Sequence, residues 1–104
     1  MSRVRLFVYG SLKRGGRHHD ELQGAEFLGE VETVPGYALE PVGEYLALVA
    51  VPGQETRVSG ELFEVSESLL PALDDFEGDA YFRGQVALQH AKYGLALAYL
   101  KKAR

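Results

Sequence analysis

A glutamate at the end of an amphipathic segment, Glu77, has the sequence environment of a general base. It follows Leu73 by four residues and Leu70 by seven, so in a helix it borders the apolar surface of those leucines. A carboxylate beside apolar groups, near the negative end of a helix dipole, has a raised pKa. Such a pKa suits proton transfer near neutral pH, which contributes about 10²–10⁴ in rate. The alternative is a helix-end glutamate that hydrogen-bonds nearby backbone N–H groups.

Four polar residues flank Glu77. Asp74 and Asp75 share its end of the segment, and we expect both to be solvated. Tyr81 and Arg83 lie two positions apart in a predicted strand, so their side chains face the same side. They either position Glu77 or bind an acidic group of a ligand. The alternative is a cross-strand pair with a structural role.

A second candidate site follows the first strand. There the apolar run Leu6–Tyr9 meets Gly10 and Ser11, and then the basic pair Lys13 and Arg14. Glycine has no Cβ, so the chain can bend at Gly10 and a ligand can approach its backbone. Consecutive N–H groups at such a strand end often form a concavity that binds a carboxylate, and the basic side chains add positive potential. The alternative is an ordinary tight turn.

Metal and nucleotide chemistry find little support in the sequence. The chain has no cysteine. His18 and His19 are adjacent, so they cannot share a face as ligands, and His90 is isolated. The segment 10–16 lacks the Gly-Lys-Ser/Thr ending of a phosphate-binding loop. We therefore expect neither a metal nor a cofactor.

Length and composition predict one ordinary globular domain spanning residues 1–104. The chain is 46% hydrophobic and 25% charged, with a net charge of −4. No apolar stretch is long enough to span a bilayer, and the N-terminal apolar run is too short for a signal peptide, so we expect a cytoplasmic protein without a membrane partner. The net negative charge of the chain and its lack of a nucleic-acid-binding motif argue against binding to nucleic acid. The sequence gives no prediction of oligomeric state.

Basic residues are concentrated towards the two ends of the chain. If the ends lie together, they form one basic face. The simplest interpretation is a solvated charged face, and an alternative is an interaction protein that binds an acidic partner there. A salt-dependent interaction would distinguish the two.

The elements that must position the candidate residues are six or so strands and one principal helix, an α+β pattern that does not suit repeated βαβ winding. Closure into a small barrel would remove the edge strands. A helical turn is predicted at 18–23, and turns at 35–36 and 41–43. The predicted strands span 4–9, 25–34 with a bulge at Gly29, 44–51, 57–65, 81–89 and 95–100.

The predicted helix spans 66–77. Leu69, Leu73 and Phe76 recur at helical spacing and form one apolar stripe. Pro71 is tolerated only in a first turn, which favours Ser68 over Ser66 as the N-cap. Gly78 stands where a C-terminal glycine cap belongs.

Three stretches together resemble the gamma-glutamylcyclotransferase-like family, and the resemblance covers nearly the whole chain in order. They are VYGSLKRG at 8–15, VSGELFEV at 58–65 and LDDFEGDAYFR at 73–83. One departure is visible, because Gly36-Tyr37 is followed by Ala38 where the family often has proline. This difference affects the expected pocket wall and leaves the catalytic motif intact.

The resemblance implies a small mixed β-barrel with flanking helices and a substrate pocket at its mouth. The family's catalytic glutamate corresponds to Glu77, and its Tyr-x-Arg to Tyr81 and Arg83, which we expect to contact the substrate. The family's glutamyl-binding loop, which acts largely through backbone groups, corresponds to Tyr9, Gly10, Ser11 and Leu12.

The implied reaction is an intramolecular attack. The α-amine of a gamma-glutamyl compound attacks its own γ-carbonyl, so that 5-oxoproline forms and an amine or amino acid leaves. Glu77 would act as general acid and base, and no enzyme nucleophile is needed because the substrate carries its own. The alternative is a non-catalytic binding module for a carboxylate-bearing metabolite or peptide end.

Overall fold

The computed structural model describes residues 2–102, so the ends of the predicted domain, residues 1 and 103–104, lie outside the described residues. Short 3₁₀ helices occur at His19–Leu22 and Glu67–Leu69. The main elements are β1 (Arg3–Val8), β2 (Glu26–Glu32), β3 (Tyr37–Val42), β4 (Tyr45–Ala50), β5 (Ser59–Ser66), α1 (Leu70–Glu77), β6 (Tyr81–Ala87) and β7 (Leu95–Lys101). The predicted α+β class with one principal helix is confirmed.

The seven strands form one mixed sheet. Its order is β2-β5-β1-β7-β4-β3, and β6 pairs with β7 outside this path. β1 pairs antiparallel with β5 and parallel with β7, and the run Leu6–Val8 is buried on both of its faces. The β2–β5 ladder shifts register between Phe27 and Gly29, which confirms the predicted bulge.

The sheet curls towards a barrel, but among the described residues no continuous strand ladder closes it between β2 and β6. The Gln89 N–H donates to the Glu32 carbonyl at 2.8 Å, and the Val34 N–H donates to the Ala87 carbonyl at 3.0 Å. These bonds join the end of β2 to the end of β6, where Thr33 and Leu88 form an isolated bridge. The hairpin of β3 and β4 continues from β7 outside this curl.

The sheet divides at one edge of β7. β6 occupies the other edge over the whole length of β7. On the dividing edge, Leu6 of β1 pairs with Leu97, and Leu48 of β4 pairs with Leu100. β1 therefore gives way to β4 near Tyr99, and the carboxyl end of β1 opens into a crevice, as happens at switch points of open sheets.

One predicted turn is wrong. β3 runs through Pro41 to Val42, and the turn to β4 lies at 43–44 instead of 41–43. Proline cannot donate to a sheet ladder and is tolerated on edge strands, and β3 is the outermost strand in this order.

The helix α1 covers one face of the sheet. Leu70 and Leu73 are its buried residues, and they pack with Leu6, Val8 and other apolar residues of the sheet. The 3₁₀ turn Glu67–Leu69 precedes the helix, so the predicted helix at 66–77 is divided in two.

The ends of α1 match the prediction at one end only. Gly78 ends the helix at φ 84°, and its N–H donates to the Asp74 carbonyl at 3.1 Å, which confirms the predicted glycine cap. The Ser68 cap is wrong, because the N-cap is Leu69 without a side-chain bond. The Ser68 hydroxyl instead bonds the Ser66 hydroxyl at 2.8 Å.

Candidate active site

A cleft of about 330 Å³ opens at the carboxyl end of β1, where β1 and β4 diverge. One wall is the loop Tyr9–Leu12, and another is the end of α1 with Phe76 and Glu77. Tyr81 and Tyr99 add phenol rings, and Tyr45 and Leu46 form an apolar rim. The structure thus brings six of the seven predicted site residues to one cleft, and Arg83 is not among its lining residues.

The carboxylate of Glu77 is half-buried and has no hydrogen-bond partner among the described residues. It is the last residue of α1 and lines the cleft. Burial raises the pKa of the Glu77 carboxyl above its ordinary value. Within residues 2–102, no protein group donates a hydrogen bond to this carboxylate, so the alternative of a glutamate bonded to nearby backbone N–H groups finds no support. A partly desolvated, unpaired carboxylate is available to exchange protons with a ligand.

The loop after β1 lines the same cleft. Its carbonyls are bonded internally, with Lys13 N–H donating to the Gly10 carbonyl at 3.0 Å and His18 N–H donating to the Ser11 carbonyl at 2.9 Å. Among the described residues, the N–H groups of Gly10, Ser11 and Leu12 find no acceptor. We name these three N–H groups the cradle. Unpaired donors of this kind are suited to a carboxylate.

The side chains of this loop serve mainly its structure. The Leu12 side chain is buried in the core under α1, so only its backbone is available to a ligand. Gly10 does not adopt a left-handed φ, and an added Cβ would meet no protein atom within 4 Å. Protein packing therefore does not require a glycine at position 10, and the space beside it remains for a ligand.

Tyr9 joins the diverging strands. Its hydroxyl donates to the Tyr99 carbonyl at 2.8 Å. Burial raises the pKa of the Tyr9 phenol, a backbone hydrogen bond with Leu48 opposes this rise, and the charge of Glu77 adds to it. Tyr9 therefore fixes the floor of the cleft with its hydroxyl and stays neutral beside Glu77.

Tyr81 lies at the start of β6 and faces the cleft. Burial raises the pKa of its phenol, the charge of Glu77 raises it further, and Lys101 opposes this. Tyr9, Tyr81 and Glu77 all line this cleft, and the charge of Glu77 raises the pKa of both phenols.

Arg83 pairs with the helix instead of the cleft. Its guanidinium lies 3.3 Å from Asp74 Oδ1, and the same oxygen accepts a 2.7 Å hydrogen bond from the Tyr99 hydroxyl. The pKa of the Tyr99 phenol is raised by burial first and then by Asp74. Asp74, expected to be solvated, therefore ties α1 to β6 and β7 three residues before Glu77.

The basic side chains of the loop also point elsewhere. Arg14 binds Glu61, and Lys13 lines a separate cleft on the other side of the loop. No lysine or arginine is among the described residues that line the cleft of Glu77. Lys13 and Arg14 therefore do not supply the expected positive potential from the described lining of this cleft.

Sequence reasoning missed His18 as a cleft residue. Its Nδ1 lies 3.1 Å from the Ser11 hydroxyl, and its ring packs edge-on against Phe76 at 5.0 Å. The sequence signal was its position in the loop after the glycines. Tyr45 and Leu46 were read only as strand residues, because their place at the rim depends on the docking of β4 against β7.

Neither a metal cluster nor a membrane helix is present in the described part of the chain. In residues 2–102, no three histidine, aspartate or glutamate side chains gather to hold a metal ion. The same residues contain no helix with the length and apolarity to cross a membrane.

Comparisons with known proteins agree with this arrangement. Residues 6–104 match the family described as "Gamma-glutamyl cyclotransferase, AIG2-like". A gamma-glutamylaminecyclotransferase of Rattus norvegicus is 42% identical over 91 residues, covering 81% of this chain and 61% of that protein. A putative gamma-glutamylcyclotransferase of Vibrio cholerae is 43% identical over 72 residues, covering 69% of this chain and 60% of that protein. The chain thus spans about three fifths of the length of these relatives.

The crystal structure of an AIG2-like protein from Mus musculus shares the fold. It superposes with a TM-score of 0.81 at 30% identity, covering 99% of this chain and 78% of that chain. The predicted resemblance is confirmed, and the chain belongs to the gamma-glutamyl cyclotransferase, AIG2-like family.

Proposed function

We propose that this protein is a gamma-glutamyl cyclotransferase that releases 5-oxoproline from a gamma-glutamyl compound. The observation that carries the proposal is the Glu77 carboxylate, which is half-buried, unpaired among the described residues and in one cleft with the cradle. The names of the relatives support the same chemistry. A proton acceptor and an anion site in one cleft fit a substrate that carries its own nucleophile.

Glu77 transfers the proton in this mechanism. The cradle holds the α-carboxylate of the substrate, and Glu77 takes a proton from its α-ammonium. The freed amine attacks the γ-carbonyl carbon, so a new C–N bond closes the five-membered ring. The attacking nitrogen now carries one surplus proton. As the bond from that carbon to the leaving nitrogen breaks, Glu77 returns its first proton to the leaving nitrogen. Glu77 then takes the surplus proton from the ring nitrogen and passes it to the freed amine, which leaves as an ammonium ion. Atoms and charges balance without water or a second substrate.

The fold contributes mainly by holding the substrate in its cyclising conformation. Fixing a nucleophile and an electrophile at contact distance removes much of the entropic barrier. The phenols of Tyr9 and Tyr81 stay neutral beside Glu77, since the pKa of each is raised. They add contact surface around the reacting groups without competing for the proton.

The lining of the cleft favours an amine over a free amino acid as the leaving group. The rim consists of Tyr45 and Leu46, and the described lining residues include no cation that would pair with a second carboxylate. A relative from Rattus norvegicus carries the name gamma-glutamylaminecyclotransferase, which supports this choice. We therefore expect gamma-glutamyl alkylamines to be better substrates than gamma-glutamyl amino acids.

The test is 5-oxoproline release from a panel of both compound classes, with wild type beside Glu77→Gln. We expect release by wild type and a loss of about 10²–10⁴ in kcat for the variant. Asp75→Asn is the matched control, because Asp75 is an exposed carboxylate of the same helix. Equal kcat in wild type and a folded Glu77→Gln would refute the role of Glu77.

A further inference from the structure

Glu61 is the one acidic residue that is buried among the described residues. It lies on β5 with 8% of its surface exposed, directly opposite Val8, the last residue of β1. A carboxylate withdrawn from water destabilises the fold unless it is paired and hydrogen-bonded. The chain therefore holds Glu61 here only because a partner meets it.

That partner is Arg14, which Glu61 binds twice. The Arg14 backbone N–H donates to Oε1 at 2.8 Å, and the Nε–H donates to Oε2 at 3.3 Å. The Arg14 guanidinium also lies 3.5 Å from the centre of the Phe27 ring. Backbone and side chain of Arg14 are thus both fixed against the sheet.

The attachment is close to the cradle along the chain. Arg14 follows Leu12 by two residues. One turn precedes it, with Lys13 N–H bonded to the Gly10 carbonyl at 3.0 Å, and a second turn contains it, with Gly16 N–H bonded to the Lys13 carbonyl at 2.8 Å. A loop closed by such turns and attached at Arg14 cannot shift there without moving the cradle.

We propose that Glu61 is a positioning residue that holds loop 10–16 through Arg14 and so fixes the cradle for the substrate's carboxylate. Its effect on catalysis rests on the proposed function. Since the cradle binds the carboxylate in both the ground state and the transition state, loosening it raises KM more than it lowers kcat. Loss of Glu77, in contrast, lowers kcat.

The test compares Glu61→Gln with Glu64→Gln. Glu64 is the matched control, because it lies on the same strand and pairs with Arg3 of β1 at 3.1 Å, away from the loop. Amide hydrogen exchange over residues 10–16 is measured with KM and kcat for 5-oxoproline release. For Glu61→Gln we expect exchange and KM to rise about tenfold, with kcat within about threefold of wild type. Glu64→Gln should change none of these.

A second variant keeps the test decisive if Glu61→Gln does not fold. Arg14→Ala removes the Nε–H bond but keeps the backbone N–H, so it should shift exchange and KM in the same direction by a smaller factor. Unchanged loop exchange in the folded variants, or faster exchange with wild-type KM, would overturn the proposal. Inactive wild type across the panel would refute the proposed function alone, and the exchange data would still decide whether Glu61 holds the loop.

Discussion

Glu61 and Glu77 are both withdrawn from water, and they differ in what faces them. Glu61 is almost fully buried and accepts two hydrogen bonds from Arg14. Glu77 is half-buried, and in residues 2–102 no protein group donates a hydrogen bond to its carboxylate. The paired glutamate binds a loop residue, whereas we propose that the unpaired one transfers protons. The partners of a carboxylate therefore indicate its role better than its burial does.

The largest expected effect comes from moving the reactive carboxylate. Glu77→Asp keeps the charge but withdraws it by one methylene from the reacting nitrogen. We expect kcat for 5-oxoproline release to fall about 10²-fold, since a displacement of this size disrupts the attack geometry. Steady-state kinetics measures it, with Asp75→Glu as a control of similar size. A kcat near that of wild type would show that Glu77 acts only as a distant charge.

A smaller effect is expected when the space beside the cradle is filled. Gly10→Ala adds a Cβ that meets no protein atom and needs no left-handed backbone, so the melting temperature should not change. The same Cβ enters the space where we place the substrate, and KM should rise about tenfold. Gly94→Ala is the control, because its Cβ is equally free of contacts and lies outside the cleft. Wild-type KM in Gly10→Ala would contradict this placement of the substrate.

The Glu61–Arg14 pair should contribute more to stability than the exposed Glu64–Arg3 pair does. Glu61→Ala removes two charge-assisted bonds and should lower the free energy of unfolding by about 1–3 kcal/mol, towards the low end because Arg14 is half exposed. Glu64→Ala breaks a solvent-exposed pair and should cost about 0–1 kcal/mol. Urea unfolding of both variants measures these free energies. Equal losses in Glu61→Ala and Glu64→Ala would contradict the prediction.

The smallest effect is a gain in stability when the unpaired glutamate is neutralised. Burial raises the pKa of Glu77 in the folded state, so stability is lost as the pH rises through that pKa. Glu77→Gln cannot ionise and should melt at a higher temperature than wild type above this pH. Below the ordinary glutamate pKa of 4.5 the difference should vanish, because both states are then protonated. A lower melting temperature of Glu77→Gln than of wild type at neutral pH would contradict this prediction.

The position of Glu77 at a helix end was predictable because its signals are local, whereas its catalytic role stays a prediction. The apolar stripe ending in Phe76 and the cap at Gly78 place it at a helix end without reference to the rest of the fold. The sequence also contains a local signal for the buried Glu61. It shares a strand face with Phe63 and Val65, both of which are buried, so an acidic residue at that position required a partner.

The rest of the site depends on contacts between distant parts of the chain. The rim position of Tyr45 follows from the pairing of Leu48 with Leu100, which local patterns do not specify. The diversion of Arg83 to Asp74 likewise depends on how α1 packs against β6. Long-range docking of a hairpin and a helix therefore sets the walls that sequence reasoning could not assign.

The central claim is that Glu77 transfers the proton, and two curves from wild type test it most directly. One is the NMR titration of the Glu77 carboxyl carbon, assigned by its absence from Glu77→Gln. The other is the acid limb of kcat/KM for 5-oxoproline release, which reports the essential base of the free enzyme. We expect one shared midpoint above 4.5, the ordinary glutamate value. A Glu77 titration at the ordinary value, or an acid limb with a different midpoint, would contradict the claim.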